Sequence, residues 1–98
     1  ILVRNFDHEK ILEFISQETG IDKVMLYVKN NRNNKSARAL AVLLMRSLCN
    51  FKMKHICEIL GNITESRVSK LCSIGVNLIS TEDRYKDIIN KFILQETS

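Results

Sequence analysis

Apolar residues along this chain recur at steps of three and four, and no window longer than four residues alternates as a half-buried strand would. Proline is absent. The pattern predicts an all-α chain, a compact bundle of about six helices. Asp7 can cap the first, with Phe6 and Ile11 placed as a hydrophobic staple; Ile11, Phe14 and Ile15 share its inner face, and Gly20 ends it. A short second helix opens at Asp22 and carries Val24, Met25 and Val28. KNNRNNK (29–35) is basic and poor in helix formers, and is predicted to be a loop. Ser36 then caps ARALAVLLMRSLC, a third helix so apolar around its circumference that it belongs at the centre of the bundle.

The second half of the chain is helical by the same periodicity, with no internal repeat. A fourth helix over about 52–60 turns Met53, Ile56, Cys57 and Leu60 inward, and Gly61 is placed for a left-handed C-terminal residue. A fifth, over about 64–79, buries Val68, Leu71, Cys72, Gly75 and Ile79. Gly75 inside it costs about 1 kcal/mol against alanine, which points to a close helix contact or a bend. Ser80 or Thr81 caps a sixth helix, where Glu82 and Asp83 favour the N-terminal dipole and Tyr85, Ile88, Ile89, Phe92 and Ile93 form the inner stripe.

The 98 residues are enough for one hydrophobic core, and 45% hydrophobic with 27% charged residues is a globular balance. No apolar run reaches the length of a membrane span, and no signal sequence precedes the fold. The start at Ile1 reads as a C-terminal fragment of a longer protein, with residues 1–5 the tail of a preceding segment. Cys49, Cys57 and Cys72 lie on or beside apolar helical positions without a CxxC pair. That predicts buried free thiols in a reducing cytoplasm rather than disulfides. His55 and Cys57 have no second pair at metal spacing, so no metal or other cofactor is expected.

A formal charge of +4 changes the picture by favouring an anionic partner. The outer face of the fifth helix sharpens it: Glu65, Ser66, Ser69, Lys70, Ser73 and Asn77 lie opposite the buried stripe, with Arg67 at the flank. A solvated helix face more often carries Glu and Lys four residues apart. Short hydrogen-bonding side chains let a helix approach closely, as it must in a DNA major groove. A short helix, a turn with glycine and a longer helix make up the helix-turn-helix pattern. Lys52 and Lys54 open the short helix, Arg32 and Lys35 lie in the basic loop, and Arg38 stands in the first turn of the central helix, where a cation opposes the dipole.

The segment SARALAVLLMRSLCNFKMKHICEILGNITESRV resembles the C-terminal DNA-binding domain of the bacterial replication initiator DnaA, a Trp-repressor-like helical module. It also resembles the related module of single-tyrosine, REP-associated transposases. The shared features are Ala-Arg opening an apolar helix, Leu-x-Asn closing it, an Ile-containing short helix, Leu-Gly and the turn that follows. QETGIDKVML and RYKDIINKFI extend the likeness to about residues 8–93. Where the initiator carries Arg-Asp-His-Ser/Thr-Thr, this chain has Ile63, Thr64, Glu65, Ser66 and Arg67, and Ser66, Val68, Ser69 and Lys70 are similar to the transposase version. The resemblance implies a bacterial, nucleoid-associated, double-stranded-DNA-binding module that reads a different sequence from the initiator's.

Enzymatic chemistry is not expected within the segment. His8 and His55 are far apart in sequence, Tyr27 and Tyr85 have structural roles available, and no phosphate-binding glycine loop occurs. Two readings follow. In the first, Thr64, Glu65, Ser66, Arg67, Ser69 and Lys70 face base edges or nearby phosphates, with Arg67 or Lys70 donating to guanine. Arg32, Lys35, Arg38, Lys52 and Lys54 hold phosphates or, from the loop, enter a minor groove. In the second, the fold serves as a helical protein-interaction module that has lost DNA binding. Within NITESRVSK, Asn62-x-x-Glu65 resembles a capping box, and Asn62 or Thr64 can cap the helix.

Overall fold

The computed structural model describes residues 7–28, 34–48, 51–61 and 63–97. Among them are five α-helices, two short 3₁₀ helices and no strand: α1 (His8–Thr19), a 3₁₀ turn (Lys23–Tyr27), α2 (Lys35–Leu48), α3 (Met53–Leu60), α4 (Glu65–Thr81), a second 3₁₀ turn (Asp83–Tyr85) and α5 (Ile88–Thr97). The all-α architecture is as the periodicity predicts, but the count is five rather than six. No described helix is long and apolar enough to cross a membrane. The Cα radius of gyration is 12.2 Å, close to the roughly 13 Å of a compact chain of about 100 residues.

Local chemistry sets most of the boundaries. Asp7 caps α1 by accepting from the Glu9 N–H at 3.2 Å, while Gly20, in the left-handed region (φ 74°), closes it by donating to the Ser16 carbonyl. The proposed staple partner Phe6, the thiol of Cys49, the cap residue Asn62 and most of the 29–35 loop, Arg32 included, lie outside the described residues. Gly61 ends α3 with φ 96° and ψ −81°, a positive-φ conformation but not the left-handed helical one expected.

Three expectations about element ends are corrected. The segment after Asp22 is a 3₁₀ turn with three residues per turn, so Leu26 is the buried residue, whereas Val24 is 69% and Val28 38% exposed. Helix α2 begins at Lys35, one residue before Ser36, so Ser36 is not its cap and Lys35 is helical rather than a loop residue. Helix α4 runs on through Thr81: the Ser80 and Thr81 hydroxyls donate back to the Val76 and Asn77 carbonyls at 2.9 Å instead of capping a following helix. The closing stripe survives the altered boundary, with Tyr85, Ile88 and Phe92 buried and Ile89 and Ile93 half-buried.

Helix α2 occupies the centre. Every residue from Ala37 to Met45 is buried, and the most extensive contact between elements is α2 against α4. That crossing is close because position 75 has no side chain: a Cβ there would lie 2.7 Å from the Ala39 carbonyl oxygen and 3.0 Å from the Leu43 Cβ. Gly75 therefore marks a helix contact. On the other flank α1 and α5 are joined by the edge-to-face Phe14–Phe92 pair, with centroids 5.1 Å apart. Two ion pairs, Lys10–Glu96 at 3.3 Å and Lys91–Glu18 at 2.8 Å, match the start of each helix to the end of the other, so the two run antiparallel.

Candidate nucleic-acid interface

Helices α2, α3 and α4 pack against one another and carry ten of the eleven residues singled out from sequence, or the caps that precede them. Arg32, the eleventh, is outside the described residues. Thr64 is the N-cap of α4, its hydroxyl oxygen accepting the Arg67 N–H at 3.2 Å. The third helical residue is consequently Arg67, and Glu65, at the first position, is not the acidic partner of a box closed by Thr64. Glu65, Ser66, Ser69, Lys70, Ser73 and Asn77 are all exposed, so the outer face of α4 is the short polar surface that the periodicity predicts. Arg67 is half-buried. At 100° per residue it sits about 60° beyond Lys70, on the flank of that face.

Lys52 precedes α3 as its N-cap residue, Lys54 lies in its first turn, and both are exposed. With Phe51, His55 and Glu58 they line an open groove of 480 Å³. Phe51 is stacked in tilted contact with His55 (centroids 4.2 Å apart) and meets His8 edge-on at 6.3 Å. The Arg46 guanidinium donates to the Phe51 carbonyl at 3.1 Å, anchoring the entry to α3. Sequence reasoning missed this aromatic floor. Its signal was the interleaving of bases and rings in Phe51, Lys52, Lys54 and His55.

Ion pairing is unevenly distributed. Among the described residues, Glu9, Glu18 and Glu96 pair with Lys23, Lys91 and Lys10, and His8 lies 3.7 and 3.5 Å from the Asp7 and Glu9 carboxylates. All of these belong to α1, α5 and the turn after α1. Lys35, Arg38, Lys52, Lys54, Arg67 and Lys70 form no ion pair with any described carboxylate.

Arg38 departs most from expectation. Read from the sequence as a phosphate contact, it is only 4% exposed, although Lys35 and Ser36 in the same first turn of α2 are exposed. Its Nε and Nη2 hydrogen-bond to no described group. Its acidity is shifted in the direction that disfavours the cation, first by burial and second by the nearby positive charge of Arg67. One turn earlier, buried Asn34 donates to the Met25 carbonyl and, at 2.9 Å, to the Val28 carbonyl, tying the loop's end to the preceding 3₁₀ turn. Its Oδ1 has no described partner.

The remaining polar candidates are not gathered into reactive geometry. Cys57 and Cys72 are free thiols, half-buried rather than fully buried. Burial, then the charges of Glu65 and Glu58, push the Cys57 thiol above its ordinary range. Among the described residues no group of three or more His, Cys, Asp or Glu side chains is disposed to hold a metal ion. Comparison with protein-family models, curated proteins and solved structures finds no match to this chain.

Proposed function

We propose that α3 and α4 act as a helix-turn-helix that binds double-stranded DNA. The observation that carries this reading is the segregation of charge: the cations on α2, α3 and α4 lack carboxylate partners, while those of α1 and α5 are neutralised internally. Unpaired bases around a helix with a short polar outer face are the electrostatic footprint of a groove-reading element. In this reading Ser66, Ser69 and Lys70 approach base edges, Lys70 donating to guanine and Glu65 accepting from cytosine. Lys35, Lys52 and Lys54 hold phosphates and set the register of the helix on the duplex. Thr64 is occupied as the cap of α4, so its contribution is to fix where the reading residues start.

This reading agrees with the resemblance to the initiator and transposase modules, and it treats the chain as the part of a larger protein that brings it to DNA. The alternative, a protein-interaction module, draws on exposed Val24, Val28, Val76 and Leu94. Val24 and Val28 belong to one 3₁₀ turn and its end, while Val76 and Leu94 stand singly on α4 and α5, and scattered apolar residues of this kind are ordinary for a protein surface.

The test is a salt titration of binding to duplex DNA. Affinity should fall steeply with salt, and Lys54→Ala or Lys70→Ala should each flatten the slope by about one unit wherever the lysine meets a phosphate. Absence of salt-sensitive binding at about 50 mM salt would refute the reading.

A further inference from the structure

We propose that the groove at the start of α3 is a second nucleic-acid site, one that takes a single unpaired nucleotide of a DNA strand. The base stacks on the Phe51 and His55 rings, and the adjoining phosphates sit on Lys52 and Lys54. The site shares those two lysines with the duplex reading, but it rests on the rings, which bases paired and stacked in a duplex do not reach.

The groove has the size and the chemistry of such a ligand. Its 480 Å³ falls within the roughly 300–1,000 Å³ of small-molecule sites. Phe51 and His55 both line it, with centroids 4.2 Å apart and planes diverging by 37°, so the two rings are not closed face to face. His55 is exposed and Phe51 half-buried. Ring faces are what unpaired bases bind, because every base has a π face of its own. The platform is also held in place. The Phe51 N–H donates to the Met45 carbonyl at 3.4 Å, and its carbonyl accepts from the Arg46 guanidinium at 3.1 Å. Its ring packs against the core and meets His8 edge-on at 6.3 Å. A ring fixed in this way loses little freedom when a base settles on it.

Charge decides between a nucleotide and the other partners that a basic, aromatic groove could take. Lys52 and Lys54 are exposed and form no ion pair with any described carboxylate. Glu58 lies four residues beyond Lys54 on α3 and lines the same groove, yet it pairs with neither lysine. The groove therefore presents two cations and a carboxylate, each still open to a ligand. An acidic peptide gains from the lysines but is repelled by Glu58. A nucleotide carries an anion at one end and, on its base, N–H groups that a carboxylate can accept. It suits the rings, the lysines and Glu58 together.

The experiment follows fluorescence anisotropy of labelled single strands added to the full chain. The probes are a short oligothymidylate and the same backbone without bases. The unmodified protein should bind the base-bearing strand roughly tenfold more tightly, within the range that one stacked base contributes. His55→Ala, at an exposed position, and Phe51→Leu, which keeps an apolar side chain against the core, should each remove most of that advantage. Both should leave the affinity for the abasic strand unchanged, which serves as the control for folding. Lys54→Ala should weaken the two strands alike. Equal affinity for the two strands, or no binding of either, overturns the site. So does a base-dependent advantage that survives in the double variant Phe51→Leu, His55→Ala. Tighter binding of an acidic peptide bearing an aromatic residue, lost in Phe51→Leu, would make the groove a peptide site and overturn the assignment too. Duplex binding separates this site from the helix-turn-helix reading: Phe51→Leu and His55→Ala should leave it unchanged, whereas Lys70→Ala should weaken it. Base-dependent strand binding without duplex binding would sustain the groove and sink the helix-turn-helix. Duplex binding with equal affinity for the two strands would do the reverse.

Discussion

The contact between α2 and α4 allows one substitution to be worked through in numbers. Gly75→Ala places a Cβ 2.7 Å from the Ala39 carbonyl oxygen, about 0.7 Å inside ordinary contact, and 3.0 Å from the Leu43 Cβ. On an exposed helix the same change would stabilise by about 1 kcal/mol, because alanine loses less backbone entropy. Here the obstructing atom is backbone on the central helix, flanked by residues buried on every side, so it has little room to yield. Overpacking of this kind costs about 1–3 kcal/mol. A backbone obstruction belongs in the upper part of that range, which leaves a net loss of about 1–2 kcal/mol. For a chain of this size that is a fall of about 4–16 °C in unfolding temperature. Thermal unfolding followed by far-UV circular dichroism measures it. Ser73→Ala, on the exposed face of the same helix, serves as the control and should change stability by no more than about half a kcal/mol. An unfolding temperature for Gly75→Ala equal to or above that of the unmodified protein would refute the close-approach argument.

Two further outcomes are expected. Asn34→Ala removes the donor shared by the Met25 and Val28 carbonyls and should cost about 1–3 kcal/mol in urea unfolding, whereas a loss below half a kcal/mol would mean that the amide tether is idle. Cys57 should be alkylated by iodoacetamide more slowly in the folded protein than in urea at the same mildly alkaline pH. Its pKa is raised by burial and by Glu65 and Glu58, so the thiolate is scarcer when folded. The sign for stability follows: this contribution is fully present below the thiol's ordinary value of 9.0 and is lost as pH rises through the raised one. Equal alkylation rates, read site by site by mass spectrometry, would contradict that.

Much of the fold lies in one-dimensional signals. Asp7, Gly20, Gly61 and Thr64 act through their own backbone neighbours, so their roles as helix ends can be read without a tertiary structure. The all-round apolarity of α2 forces it to the centre, and the three-to-four spacing of Val68, Leu71 and Gly75 fixes which face of α4 points outward. From that follow the exposed positions of Glu65, Ser66, Ser69 and Lys70.

The failures are of two kinds: a local bond that displaced the expected one, and a contact between segments distant in sequence. Thr81 has the chemistry of a cap, but its hydroxyl found a carbonyl of its own helix first. Val24 is as apolar as Leu26, and only the three-residue period of a 3₁₀ turn packed beside α1 and α2 decided which was buried. Gly75 announced a close contact without naming Ala39. An arginine in the first turn of a helix reads as a solvent-exposed base wherever it occurs. That Arg38 lies under cover depends on how the helices pack around the start of α2, which nothing near it in the chain announces. The sequence determined most of the helices and the outer face of α4; only their packing decided that Arg38 is buried and that α4 closes onto Ala39 at Gly75.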